Sequence, residues 1–136
     1  KKIIILLSVL LGFISCSTVK EIPSDLSAAQ LLQLGQNAFE SKNYKAAEKY
    51  FITTIQRFGT NTNNYIEAQY ELAHLYNTTK QYQKAYNIYN EILQMYDYSF
   101  DLPGAYKKLC QIGLSKIPKE KIAQFQNGST TPEATE

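Results

Sequence analysis

From Leu31 to Ile112 the apolar residues return every three or four positions, the period of helices that each turn one side to a core. Leu31, Leu34, Ala38 and Phe39 form the first such stripe. It predicts a helix that starts near Asp25 or Ser27, either of which can cap free N–H groups, and ends at residues 41–43. Tyr44, Ala47, Phe51, Ile55 and Phe58 predict a second helix, stopped by Gly59, where a residue free to adopt positive φ suits the position after a helix end. The polar run 60–64 reads as a loop. Ala68, Leu72, Leu75 and Tyr76 predict a third helix, and Tyr82, Ala85, Tyr89, Ile92, Leu93 and Tyr96 a fourth. A fifth is expected from Pro103, a favoured first helical residue, with Ala105, Leu109, Cys110 and Ile112 on its inner side. No stretch alternates convincingly as a strand would, so the fold class is all-α.

The helices repeat. Tyr44 falls on Tyr82, Ala47 on Ala85, Phe51 on Tyr89, and Leu34-Gly35 on Leu72-Ala73, at a constant offset of 38 residues; Leu109-Cys110 follows Leu72-Ala73 by 37. Helix pairs with this period and these residues resemble tetratricopeptide repeats, whose first helix carries Leu-Gly and whose second carries aromatic, Ala and aromatic positions. The resemblance covers residues 28–115 and implies a helix-turn-helix solenoid of two repeats plus a closing helix. In such repeats the small residues Gly35, Ala73, Cys110, Ala47 and Ala85 stand where helices approach closest. The offset exceeds the usual period of about 34 by four residues, which reads as a loop insertion.

Two flanking segments lack the period. Residues 16–24, with Pro23, read as a tether, and residues 126–136, rich in breakers and polar groups, as a disordered tail, leaving residues 25–125 as the folded domain. Ahead of the tether, Lys1 and Lys2, an apolar run and Ser15 have the layout of a secretory signal over residues 1–15. A helix of roughly 12 apolar residues rises about 18 Å, short of the ~30 Å hydrocarbon core, so the run is not counted as a membrane span. Phe13-Ile14-Ser15-Cys16 resembles the lipobox of bacterial lipoproteins, with Phe13 where Leu is usual. That resemblance implies cleavage before Cys16, a diacylglycerol on its thiol and usually an acyl group on its amine. This covalent lipid would be the sole prosthetic group. Ser17 rather than Asp after the cysteine resembles the sorting pattern for the outer membrane, periplasmic side, with the inner membrane and cell surface left open.

Together, lipobox, repeats and the segments Arg57-Phe58-Gly59 to Tyr65 and Met95-Tyr96-Asp97 resemble envelope lipoproteins of the BamD type, the repeat-containing lipoprotein of the β-barrel assembly machine. Those proteins usually have Tyr-Pro where this chain has Phe58-Gly59 and Tyr96-Asp97, and they carry more repeats, so the likeness concerns their N-terminal portion. It implies a protein-binding scaffold in outer-membrane β-barrel assembly, whose partner would be a β-barrel assembly protein with periplasmic domains. The alternative is an accessory lipoprotein for solute uptake or cell-wall synthesis.

Charge and chemistry narrow the choice further. Setting aside Lys1 and Lys2, twelve basic residues balance twelve acidic ones, which is a poor footprint for nucleic acid. His74 is the sole histidine, Cys110 lies at a helix contact where an inert buried thiol is expected, and neither a metal-ligand cluster nor a phosphate loop is present, so no catalytic or metal site is assigned. Of the eleven tyrosines, Tyr44, Tyr82, Tyr89 and Tyr96 fall at core positions, while Tyr65, Tyr86, Tyr98 and Tyr106 are free to mark an interface. The first helix of each pair lines the concave face in repeats of this kind. Here it would present Leu32, Gln36, Phe39 and Glu40, then Glu67, Tyr70, His74, Asn77 and Thr78, then Lys107 and Gln111. This face is either a partner-binding groove or an ordinary solvated surface. Lys107, Lys108, Lys116, Lys119 and Lys121 against Glu120 give the C-terminal region a local charge of +4, which is either a solvated face or a docking end for acidic groups.

Overall fold

The structure, a computed structural model, describes residues 21–99 and 101–128; the signal segment, Cys16 and the tail beyond 128 lie outside the described residues. Among the described residues there are six helices: α1 (Ala28–Glu40), α2 (Tyr44–Phe58), α3 (Thr62–Thr78), α4 (Tyr82–Tyr98), α5 (Gly104–Ser115) and α6 (Lys119–Gly128). Local chemistry sets most of their starts. Ser27 opens α1 with a reciprocal cap: its Oγ accepts from the Gln30 N–H (3.3 Å), and Gln30 Oε1 accepts from the Ser27 N–H (2.9 Å). Asn43 and Asn61 accept from Ala46 and Asn64 at the starts of α2 and α3.

Both repeats turn from first to second helix in the same way. After α1, Lys42 at φ 59° donates its N–H to the Phe39 carbonyl, and the Asn43 N–H reaches the Ala38 carbonyl. After α3, Lys80 at φ 61° donates to Asn77, and the Gln81 N–H to Tyr76. These are paired Schellman turns with lysine at the left-handed position that glycine usually takes. Gly59, the expected left-handed stop, instead has φ −67° and simply extends the helical hydrogen bonding to the Ile55 carbonyl.

The presumed loop 60–64 is mostly helix, because Asn61 caps α3 and the chain re-enters helix at Thr62. The extra four residues of the period therefore lengthen the helices: α3 and α4 have 17 residues each, against 13 and 15 for α1 and α2. Four residues are close to one helical turn, so the insertion extends the element without rotating its buried side.

Successive helices pack as neighbours from α1 to α5, while α3 also touches both α1 and α5, so the three share one face; α6 packs on α4. Phe51 and Tyr89 are fully buried at the centre with Leu31, Ile66, Leu75 and Ile92, and each such side chain contributes about 1.5–3 kcal/mol by leaving water. Ala47, Ala73, Ala85 and Cys110 are fully buried at helix contacts as their repeat positions imply. Gly35 is required beside Phe51, since a Cβ there would come 2.4 Å from the Phe51 ring.

Other expectations are corrected. Leu32 is a core residue, not part of the concave surface. On α5 the inner positions are Cys110 and Gly113, one turn apart, which leaves Ile112 41% exposed. Pro103 sits just before α5, not in its first turn. The closing element is two helices, because Ile117 packs into the core and Pro118 precedes a new start at Lys119; α6 then runs through residues 126–128, which read as tail. The tether is also shorter than expected: Ile22 is buried, and the Arg57 guanidinium donates to the carbonyls of Ile22 (3.0 Å) and Pro23 (2.6 Å).

Candidate binding groove

Side chains from α1, α3 and α5 meet in an aromatic row on the face those helices share. Tyr70 and His74 are four residues apart on α3 and so project from one side of it, their rings stacked at 6.2 Å with planes 5° apart. Phe39 of α1 lies 5.1 Å from His74 at one end, and Tyr106 of α5 lies 5.5 Å from Tyr70 at the other. Gln36, Phe39, Glu40, Tyr70, Glu71 and His74 line an open cavity of about 360 Å³. A second cavity of about 220 Å³ continues past His74 along Asn77, Thr78, Tyr82 and Lys116.

The polar groups are ordered. Gln36 Nε2 donates to Glu71 Oε1 at 2.9 Å, tying α1 to α3 with a neutral donor that orients the carboxylate without cancelling its charge. Burial holds the Glu67 carboxyl above its ordinary range; Glu71 adds to this, while a hydrogen bond from Tyr106 opposes it. Tyr106 in turn is pushed up to about 12, first by burial and then by Glu67 and Glu71. His74 is pulled below its ordinary value by burial, with Glu71 acting against that and Lys116 adding to it, so its imidazole is neutral at neutral pH.

The residues named from sequence separate in space. Gln36, Phe39, Glu40, Tyr70 and His74 line the first cavity, and Glu67 stands beside it, paired with Tyr106. Asn77 spends its amide on the Gly113 carbonyl of α5 (3.0 Å), a structural tie. Lys107 turns to α4, its Nζ 6.0 Å from the Tyr96 ring, and Gln111 is exposed and lines neither cavity. Glu71 was missed, although it lies four residues after Glu67 and next to Tyr70 on the same helix. Of the unassigned tyrosines, Tyr106 joins the groove, whereas Tyr65 bonds to Glu91, Tyr86 packs on Phe125 and Tyr98 is 89% exposed.

The basic C-terminal residues do not form one patch. Lys116 borders the groove, Lys107 faces Tyr96, and Lys121 borders a separate cavity with Lys80, Lys84 and Phe125. Burial pushes the Cys110 thiol up to about 12, leaving it protonated and unreactive. Among the described residues no group of three His, Cys, Asp or Glu is placed to hold a metal ion, and no helix is long and apolar enough to cross a membrane.

The sequence profile of the tetratricopeptide repeat matches residues 26–97, more than half of the chain and the span of α1 to α4. The chain belongs to the tetratricopeptide-repeat family. Tetratricopeptide repeats are protein-interaction scaffolds, and the aromatic row falls within two repeats and the helix that follows them. An uncharacterized protein of Treponema pallidum (strain Nichols) is 35% identical over 130 residues, which is 93% of this chain and 52% of the relative. This tetratricopeptide-repeat chain thus spans about half the length of that relative. No solved structure matches.

Proposed function

We propose that the chain is a lipid-anchored scaffold that binds an extended segment of a partner protein in the groove formed by α1, α3 and α5. The observation that carries this reading is the Phe39–His74–Tyr70–Tyr106 row, which places half-buried rings from three helices along one cavity-bearing face. Rings held this way bring contact area with little ordering cost, and aromatic anchors dominate binding energy where they are covered. Anchoring through Cys16 is supported by the lipobox-like Phe13-Ile14-Ser15-Cys16 and implies an envelope location, with the outer membrane favoured by Ser17. Two or three acyl chains would hold the domain on a bilayer stably, where one would not. Within this reading a BamD-like part in β-barrel assembly is the more specific proposal. It rests on the lipobox and repeats alone, because the residues added to the repeat period lie in α3 and α4 as helix and not as loop.

Cross-linking and co-purification from membranes test the proposal with three variants. Tyr70→Ala with His74→Ala should weaken partner recovery by about 1 kcal/mol or more, at least fivefold, while helicity and membrane attachment stay unchanged. Lys119→Glu with Lys121→Glu should alter association rate and salt dependence only. Cys16→Ser should leave an unprocessed precursor without acyl mass. An intact complex in the double Ala variant and a lost one in the lysine variant would place binding elsewhere, and a wild-type mature form without acyl mass would end the anchor proposal. Recovery of a β-barrel protein with periplasmic domains supports assembly, whereas a solute-binding protein or cell-wall synthase supports an accessory role.

A further inference from the structure

We infer that the groove selects a cationic segment, an extended stretch of the partner carrying arginine or lysine, one of whose side chains enters the cavity between Phe39, Tyr70 and His74. This deepens the groove-binding proposal and rests on it. A cavity of about 360 Å³ has room for one long side chain, and its walls are rings on which a cation is attracted to the π face. The charges at its rim have one sign. Glu40 and Glu71 line it, Glu67 lies one turn along α3 from Glu71, and no lysine or arginine lines it. Lys116 is in the adjoining cavity, beyond His74.

The structure leaves this charge unspent. Glu71 is met by the neutral Gln36 amide; burial first of all holds the protons on Tyr70, Tyr106 and Glu67, and the Glu71 charge adds to that at each of them. The neutral His74 adds an aromatic wall and no opposing charge. An apolar segment laid here would strip water from two carboxylates and return nothing, and an acidic one would meet like charge. A cationic side chain satisfies ring and carboxylate together, and arginine does so best because its planar fork stacks and forms paired bonds to a carboxylate.

The test uses the full chain in a nonionic detergent and three labelled peptides in which glycine alternates with arginine, with glutamate or with leucine. Fluorescence anisotropy gives affinity, and NMR shifts of the Tyr70 and His74 rings give location. The arginine peptide should bind, shift both rings, and weaken with added salt. Glu40→Gln with Glu71→Gln should reduce its affinity roughly tenfold or more, whereas Lys84→Gln, outside the groove, should not. Equal binding of the arginine peptide to the double Gln variant overturns the inference. So does a glutamate or leucine peptide that binds as tightly at the same rings, although the groove itself then stands. If no peptide moves either ring, groove and inference fail together.

Discussion

At the scale of single residues, two glycines set how closely the helices approach. A Cβ on Gly35 would meet the Phe51 ring at 2.4 Å, and one on Gly113 would meet Tyr89 Cζ at the same distance. Neither ring can retreat, because Phe51 and Tyr89 are fully buried. Gly35→Ala and Gly113→Ala should each cost about 1–3 kcal/mol by overpacking. Gly104→Ala, with nothing within 4 Å of the new atom, should be neutral or stabilising. Urea midpoints of the three variants check this, and equal midpoints would mean the contacts relax. Gly35 was readable through its place in the repeat. Gly113 was not, since the repeat alignment put Cys110 at the contact and the period made Ile112 look internal. Tyr89, larger than its counterpart Phe51 by a hydroxyl, makes the difference. That hydroxyl is buried with no hydrogen-bond partner among the described residues and reaches the space above Gly113, while the nearby Asn77 amide goes to the Gly113 carbonyl.

At the scale of elements, the first four helices could be placed from their apolar stripes, with Ser27 capping α1 and α2 running from Tyr44 to Phe58, while the start of α3 was set too late. The errors fall where local signals compete. Asn61 caps a helix inside a run whose composition suggests loop, and Pro118, which ends one helix, also precedes another. The Schellman turns went unseen because lysine occupies their left-handed position. A non-glycine residue there costs roughly 1–2 kcal/mol, part of which glycine would return through its greater freedom when unfolded. Lys42→Gly and Lys80→Gly should therefore raise stability by a few tenths to about 1 kcal/mol each. Gln94→Gly, inside α4, should lower it by about 1 kcal/mol. Thermal unfolding distinguishes the two, and a loss at Lys42 comparable to that at Gln94 would show that the lysine side chain matters more than its backbone.

At the scale of the whole molecule, the groove was only partly legible. Sequence spacing puts Tyr70 and His74 on one side of α3, but which residues of α1 and α5 oppose them depends on how helices slide and cross, and that follows from packing. Phe39 lines the cavity, while Lys107 faces the Tyr96 ring of α4 and Glu71 lines the cavity from beside Tyr70, a residue already chosen. The Arg57 clasp on the carbonyls of Ile22 and Pro23 was invisible for the same reason, since it joins positions 35 and 34 residues apart. It has a mechanical consequence. Tension applied through the N-terminal end of the chain meets Arg57 before it reaches α1, so the load passes into the end of α2 and the first helix is spared. In a single-molecule stretching experiment, Arg57→Ala should release the segment from Ile22 to Ser27 at lower force, adding about 20 Å of slack before the first helix yields. Identical traces for variant and wild type would mean that buried Ile22 alone bears the pull.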